Sequence, residues 1–95
     1  MIYGYITLAD ETEIVHTELL ERNGEKYVEV HFERPVFGGF KSARCELPSY
    51  KWLFNDGFSD EEIAFFTELL HHNAHTIFEF AANGGSQVAE HFQNR

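Results

Sequence analysis

Two rhythms of hydrophobic and polar positions run along the chain. Between Tyr27 and Arg34, Val28, Val30 and Phe32 alternate with Glu29, His31 and Glu33. That period of two belongs to a strand with one buried face. From Ile63 onward the period lengthens to that of a helix. Laid out at about 100° per residue, Ile63, Phe66, Leu70, Ala74, Ile77 and Ala81 form one stripe, flanked by Leu69 and Phe80 on one side and Phe78 on the other. The opposite face carries Glu68, His71, His72, His75 and Glu79, and Phe65 also points away from the stripe.

The helix has clear ends. Ser59 is a good N-cap, and Glu62 stands three residues on, so the two predict a capping box. Phe58 and Ile63 have the spacing of a hydrophobic staple, and Asp60, Glu61 and Glu62 sit where the helix dipole favours negative charge. Asn83-Gly84-Gly85 supplies residues that tolerate the left-handed conformation of a C-terminal cap. The expected helix runs from Asp60 to about Ala82.

Upstream, residues 1–9 (MIYGYITLA) are rich in β-branched and aromatic residues and read as a strand, followed by a polar turn at residues 10–12. Residues 13–22 are ambiguous by composition. The Asn23-Gly24 pair that follows resolves them, because a two-residue type I′ turn between two extended runs is the strongest hairpin signal. Such a turn fixes register. Carried along uninterrupted strands, it sets Leu20 opposite Tyr27, Leu19 opposite Val28, Thr17 opposite Val30 and Val15 opposite Phe32. On the other face it sets Glu18 opposite Glu29 and His16 opposite His31. Pro35 is expected to end this strand, since it cannot donate to the ladder. Residues 40–47 read as a further strand with Ala43, Cys45 and Leu47 inward and Ser42, Arg44 and Glu46 outward. Residues 48–58 (PSYKWLFNDGF) concentrate Tyr50, Trp52, Leu53, Phe54 and Phe58, and read as a short helix or loop that plugs one end of the core.

The expectation is therefore one α+β domain spanning residues 1–95: a four-stranded antiparallel meander (1–47), an aromatic plug (48–58), the main helix (59–84) and a tail (85–95) that forms a short helix or frays. Ninety-five residues suffice for a single modest core. Composition adds little to the fold, but charge narrows the partners. Sixteen acidic residues against seven basic ones give a net charge of -9. A chain of that sign lacks the clustered Lys and Arg that phosphate backbones or anionic membranes require. With no long apolar run, no leader-like segment and one cysteine, the chain reads as cytoplasmic.

Histidine is the conspicuous candidate for chemistry, six in all. His71 and His75 are four apart on one helix face, a spacing at which two imidazoles can share a metal, with Glu68 and Glu79 near enough to add oxygen ligands. The metalloprotease pattern is incomplete, because His72 stands where its glutamate would. A second candidate metal set is His16, His31, Glu18 and Glu29, whose paired carboxylates would repel unless a cation, Arg44 or a protonated imidazole lay between them. Alternatively, another subunit covers that face and the histidines tune association. Cys45 points inward as a small hydrophobe. No nucleophile elbow, P-loop or dinucleotide fingerprint is present, and no cofactor is expected. These features favour a small non-catalytic protein-interaction module, binding another protein or itself as a homodimer, with Tyr50, Trp52, Phe54 and Phe65 as contact residues. The alternatives are a metal-binding protein, or an antitoxin-like acidic inhibitor of a basic partner.

Overall fold

A computed structural model describes residues 1–84. The expected tail (85–95), and with it Gly85 of the cap, lies outside the described residues. Among the described residues the fold is α+β: an antiparallel sheet of six strands with one helix on one face. The strands are β1 (Ile2–Thr7), β2 (Glu13–Thr17), β3 (Leu20–Arg22), β4 (Glu25–Val36), β5 (Gly39–Leu47) and β6 (Lys51–Asp56), and the helix is α1 (Asp60–Ala82). The order across the sheet is β1-β2-β4-β5-β6, with β3 also pairing β4 beyond the end of β2. β1 and β6 are thus the edges.

The helix forms where the pattern predicts. Ser59 accepts from the Glu62 backbone N–H, and Glu62 accepts from that of Ser59, closing the capping box. Phe66, Leu70, Ile77 and Ala81 are buried, and Ile63, Leu69, Ala74 and Phe78 pack at the margin. The helix lies across the sheet. Its first half meets β4 and β6, where Phe66 stacks on Phe32 at 4.5 Å and the Trp52 indole N–H donates to Thr67 Oγ1 at 3.0 Å. Its second half meets β1, where the Tyr5 hydroxyl donates to Asn73 Oδ1 at 2.6 Å and the Tyr5 ring lies edge-on to Phe80. Arg34 ties the helix start to the sheet. It pairs with Asp10 at 3.0 Å and Glu62 at 2.6 Å, donates to the Thr12 hydroxyl and covers the Phe58 ring. The Ser59 N–H and then Arg34 hold the Glu62 carboxyl below its ordinary range.

Three sequence expectations need correction. The first concerns residues 13–22, which are extended but not one strand. Asn23 and Gly24 turn at φ +54° and +82°, and the pairs nearest the turn, Arg22–Glu25 and Leu20–Tyr27, stand as expected. Beyond Leu19 the register changes: Ile14 pairs with Phe32, Val15 with His31 and His16 with Val30. One extra residue is accommodated at Glu18–Leu19, and a one-residue slip moves every side chain of β2 to the other face. Ile14 and His16 are fully buried, while Val15 and Thr17 lie on the open face. Hence Val15 does not face Phe32, and neither the His16–His31 nor the Glu18–Glu29 pair forms. The bulge leaves backbone groups off the ladder, and the Thr17 hydroxyl and the Met1 carbonyl take them up. The Glu29 N–H donates to Thr17 Oγ1, the Thr17 hydroxyl to the Glu18 carbonyl, and the Glu18 N–H to the Met1 carbonyl.

The second correction concerns residues 48–58, which form no helix. Residues 51–56 are edge strand β6, paired with β5 across an irregularity between Arg44 and Cys45. With β2 and β3 counted apart, the expected four strands become six. The third concerns Pro35, which does not end its strand. It pairs with Phe40 inside a hairpin that continues to Val36 and Gly39. A missing donor is tolerated where the strand projects past the sheet and no ladder bond is owed. Ala43, Cys45 and Leu47 are inward and fully buried, as the alternation predicts. Glu46, on the open face, is nonetheless buried beneath Arg22, whose guanidinium lies 2.9 Å from it.

Candidate functional site

The expected contact residues separate. Trp52 is half-buried against Phe32 at 5.4 Å and anchors β6 to the helix, so it is a core residue rather than an exposed anchor. Tyr50 adopts φ +60°, uncommon for a bulky residue, and its ring stacks on His71 at 3.9 Å. Phe54 is exposed on the open sheet face beneath the Arg44 guanidinium. Phe65, 56% exposed, borders a shallow groove of about 560 Å³ on the helix, together with Glu68, Leu69 and His72.

The helical histidines sit where the pattern places them. His71, His72 and His75 are exposed, as are Glu68 and Glu79, and His75 lies 3.9 Å from Glu79. A pair so exposed contributes little. Among the described residues, no group of three or more His, Cys, Asp or Glu side chains is arranged to hold a metal ion. The second set is dispersed by the bulge. Glu18 meets the Met1 ammonium at 2.7 Å. His31 stays on the open face with Glu29 Oε1 at 3.6 Å, outside hydrogen-bonding range. His16 turns into the core between Tyr3 and Tyr5, with ring centroids at 5.7 and 6.4 Å. Its Nδ1 lies 2.7 Å from the Thr17 carbonyl, while Nε2 has no partner among the described residues.

Cys45 is fully buried, and burial pushes its thiol up to about 12. A thiol held there supplies no thiolate nucleophile near neutral pH.

The surface feature that sequence reasoning missed is the far end of the β4–β5 hairpin. Phe37 is fully exposed at the turn, Phe40 is 66% exposed, and Val36 lies beside them. Two aromatic rings and a valine on a projecting hairpin leave apolar area that nothing among the described residues covers. Next to them a shallow cleft of about 280 Å³ is lined by Thr7, Glu11, Glu13, Glu33, Pro35 and Phe40. Glu13 and Glu33 are directly opposed across β2 and β4, an arrangement that costs stability rather than adding it. None of these three glutamates has an ion-pair partner among the described residues. The signal available in sequence was the run Pro35-Val36-Phe37-Gly38-Gly39-Phe40, where three large apolar residues stand in a turn too tight to fold them back onto the core.

No helix among the described residues is long and apolar enough to cross a membrane. Compared with known proteins, the chain matches no family model, no curated protein and no solved structure.

Proposed function

We propose that the protein is a non-catalytic interaction module whose hairpin end receives a basic, partly apolar segment of another protein. The observation that carries this reading is the juxtaposition of the exposed Phe37 and Phe40 rings with the uncompensated carboxylates of Glu11, Glu13 and Glu33. Exposed aromatic side chains are the usual energetic anchors of protein interfaces. Opposed like charges persist at a stability cost, and a cationic partner would turn that cost into affinity. The net charge of -9 steers basic partners toward the molecule and repels a second copy of it. The acidic-inhibitor reading is the special case in which the bound segment belongs to a partner's working surface.

A synthetic peptide alternating lysine and leucine, and its glutamate–leucine analogue, serve as probes. In a chemical-shift titration the lysine peptide is expected to perturb Glu11, Glu13, Glu33, Phe37 and Phe40. Its binding should weaken as salt rises and fall by about tenfold or more in the Phe37→Ser, Phe40→Ser double variant. Equal binding of the glutamate peptide, or shifts confined to the helix or the open sheet face, would contradict the reading. So would a wild-type dimer in solution that the double variant converts to monomer, because the occupant would then be a second copy.

A further inference from the structure

The buried histidine has no part in that docking surface, and its chemistry is distinctive. A carbonyl oxygen only accepts, so the 2.7 Å contact with Thr17 places the ring proton on Nδ1 of His16. In this neutral tautomer the bulge carbonyl gains a donor, and Nε2 is left as a dry, unpartnered acceptor. A second proton would convert Nε2 into a charged donor. Among the described residues no acceptor lies within hydrogen-bonding distance of Nε2, and the Tyr5 hydroxyl gives its proton to Asn73 Oδ1. The ionisable groups on the elements packed around the ring offer no compensating charge. β1 contributes the phenols Tyr3 and Tyr5, Glu13 on β2 is exposed, and the exposed Glu18 carboxylate at the bulge is taken by the Met1 ammonium. Glu29 and His31 of β4 project to the opposite face, and His72, His75 and Glu79 of α1 are exposed. Burial accordingly holds the imidazole below its ordinary value, against a smaller opposing pull from the Thr17 carbonyl.

A buried cation with an unmet donor is relieved when its cover leaves. The cover here is β1, an edge strand held to the sheet through β2 alone and to the helix through Tyr5. We propose that His16 is an acid-sensitive latch: proton uptake at Nε2 releases β1 from β2 and from the second half of α1, while β4, β5 and the Phe32–Phe66 stack stay closed.

The direction follows from linkage. The closed state resists the proton that the open state accepts with an ordinary imidazole pKa of about 6.5. Closure is therefore complete above that pH and weakens below it, with opening rising about tenfold per pH unit until the closed state also protonates. The experiment is native-state amide exchange on the full chain between pH 7.5 and 5, corrected for intrinsic rates, beside an NMR titration of the His16 ring. Protection of the β1 amides is expected to fall below pH 6.5, by up to about tenfold per pH unit, in the wild type and to stay level in His16→Leu, with β5 protected in both. A His16 ring that titrates near 6.5 with β1 protection unchanged would overturn the latch, as would an equal loss in the leucine variant. If that variant does not fold, the wild type still decides, because parallel loss of protection in β1 and β5 means global unfolding rather than release of one strand.

Discussion

Replacing Ile14 by aspartate is expected to unfold the protein, whereas the same replacement at the adjacent Val15 leaves it folded. Ile14 is fully buried opposite Phe32, in a cluster whose other members are apolar. The substitution forfeits about 1.5–3 kcal/mol of side-chain burial. It also sets an unpaired carboxylate in the core, at a further several kcal/mol. Together these approach the roughly 5–15 kcal/mol that separates a small domain from its unfolded state. Val15 faces the open side of the sheet next to His31, where a carboxylate keeps contact with water. Its expected cost is about 1 kcal/mol. Far-ultraviolet circular dichroism during urea titration separates the two outcomes. An uninterrupted hairpin would reverse the order of the two variants, because it would turn Val15 inward and Ile14 out.

Truncating Phe32 to alanine is expected to cost about 3–5 kcal/mol, more than any other truncation in the sheet. Phe32 is completely buried at the centre of the β4 inner face. It stacks on Phe66 at 4.5 Å and lies 5.4 Å from the Trp52 ring, so it joins helix, central strand and edge strand at one point. Its removal leaves a cavity that two rigid aromatic neighbours cannot collapse to fill. Trp52 is the only tryptophan in the chain and rests against that site, so its fluorescence reports the transition in urea. By contrast, Phe65→Ala, on the exposed face of the same helix, should fall within about 0.5 kcal/mol of wild type.

The helix was legible because its signals reinforce one another. Ser59 and Glu62 mark its start, and the stripe from Ile63 to Ala81 holds one face for its whole length. The alternation in β4 and β5 was equally plain, since Glu29, His31 and Glu33 tolerate only one face while Val28, Val30 and Phe32 prefer the other. Residues 13–22 lack that contrast. Ile14 and Val15 are both apolar, so either can point inward, and adjacent Leu19 and Leu20 break the alternation where the bulge falls. The Asn23-Gly24 turn dictates the pairs beside it but has no hold on a strand interrupted five residues away. Strand β6 was hidden for a related reason: Trp52, Leu53 and Phe54 follow one another without a polar residue, and a continuous apolar run shows no period. At an edge strand whose pairing is irregular, only Trp52 of the three turns into the core.

The candidate site was less legible than the fold. A histidine followed directly by a threonine and a glutamate carries no mark of burial in its own sequence. His16 enters the core only because Glu18–Leu19 absorbs one residue, and the Thr17 carbonyl at that bulge is what makes an imidazole acceptable there. Phe37 and Phe40 resemble core residues by type. Their exposure follows from the length of the β4–β5 hairpin, which Pro35 was expected to cut short.

The claim on which the rest depends is that β2 is turned over relative to the register set by the Asn23-Gly24 bend. Cross-strand nuclear Overhauser contacts between β2 and β4 test it most directly. Backbone contacts pairing His16 with Val30 and Ile14 with Phe32 are the predicted result. Contacts pairing His16 with His31 and Val15 with Phe32 would contradict it, and would put His16 beside His31 on the open face of the sheet.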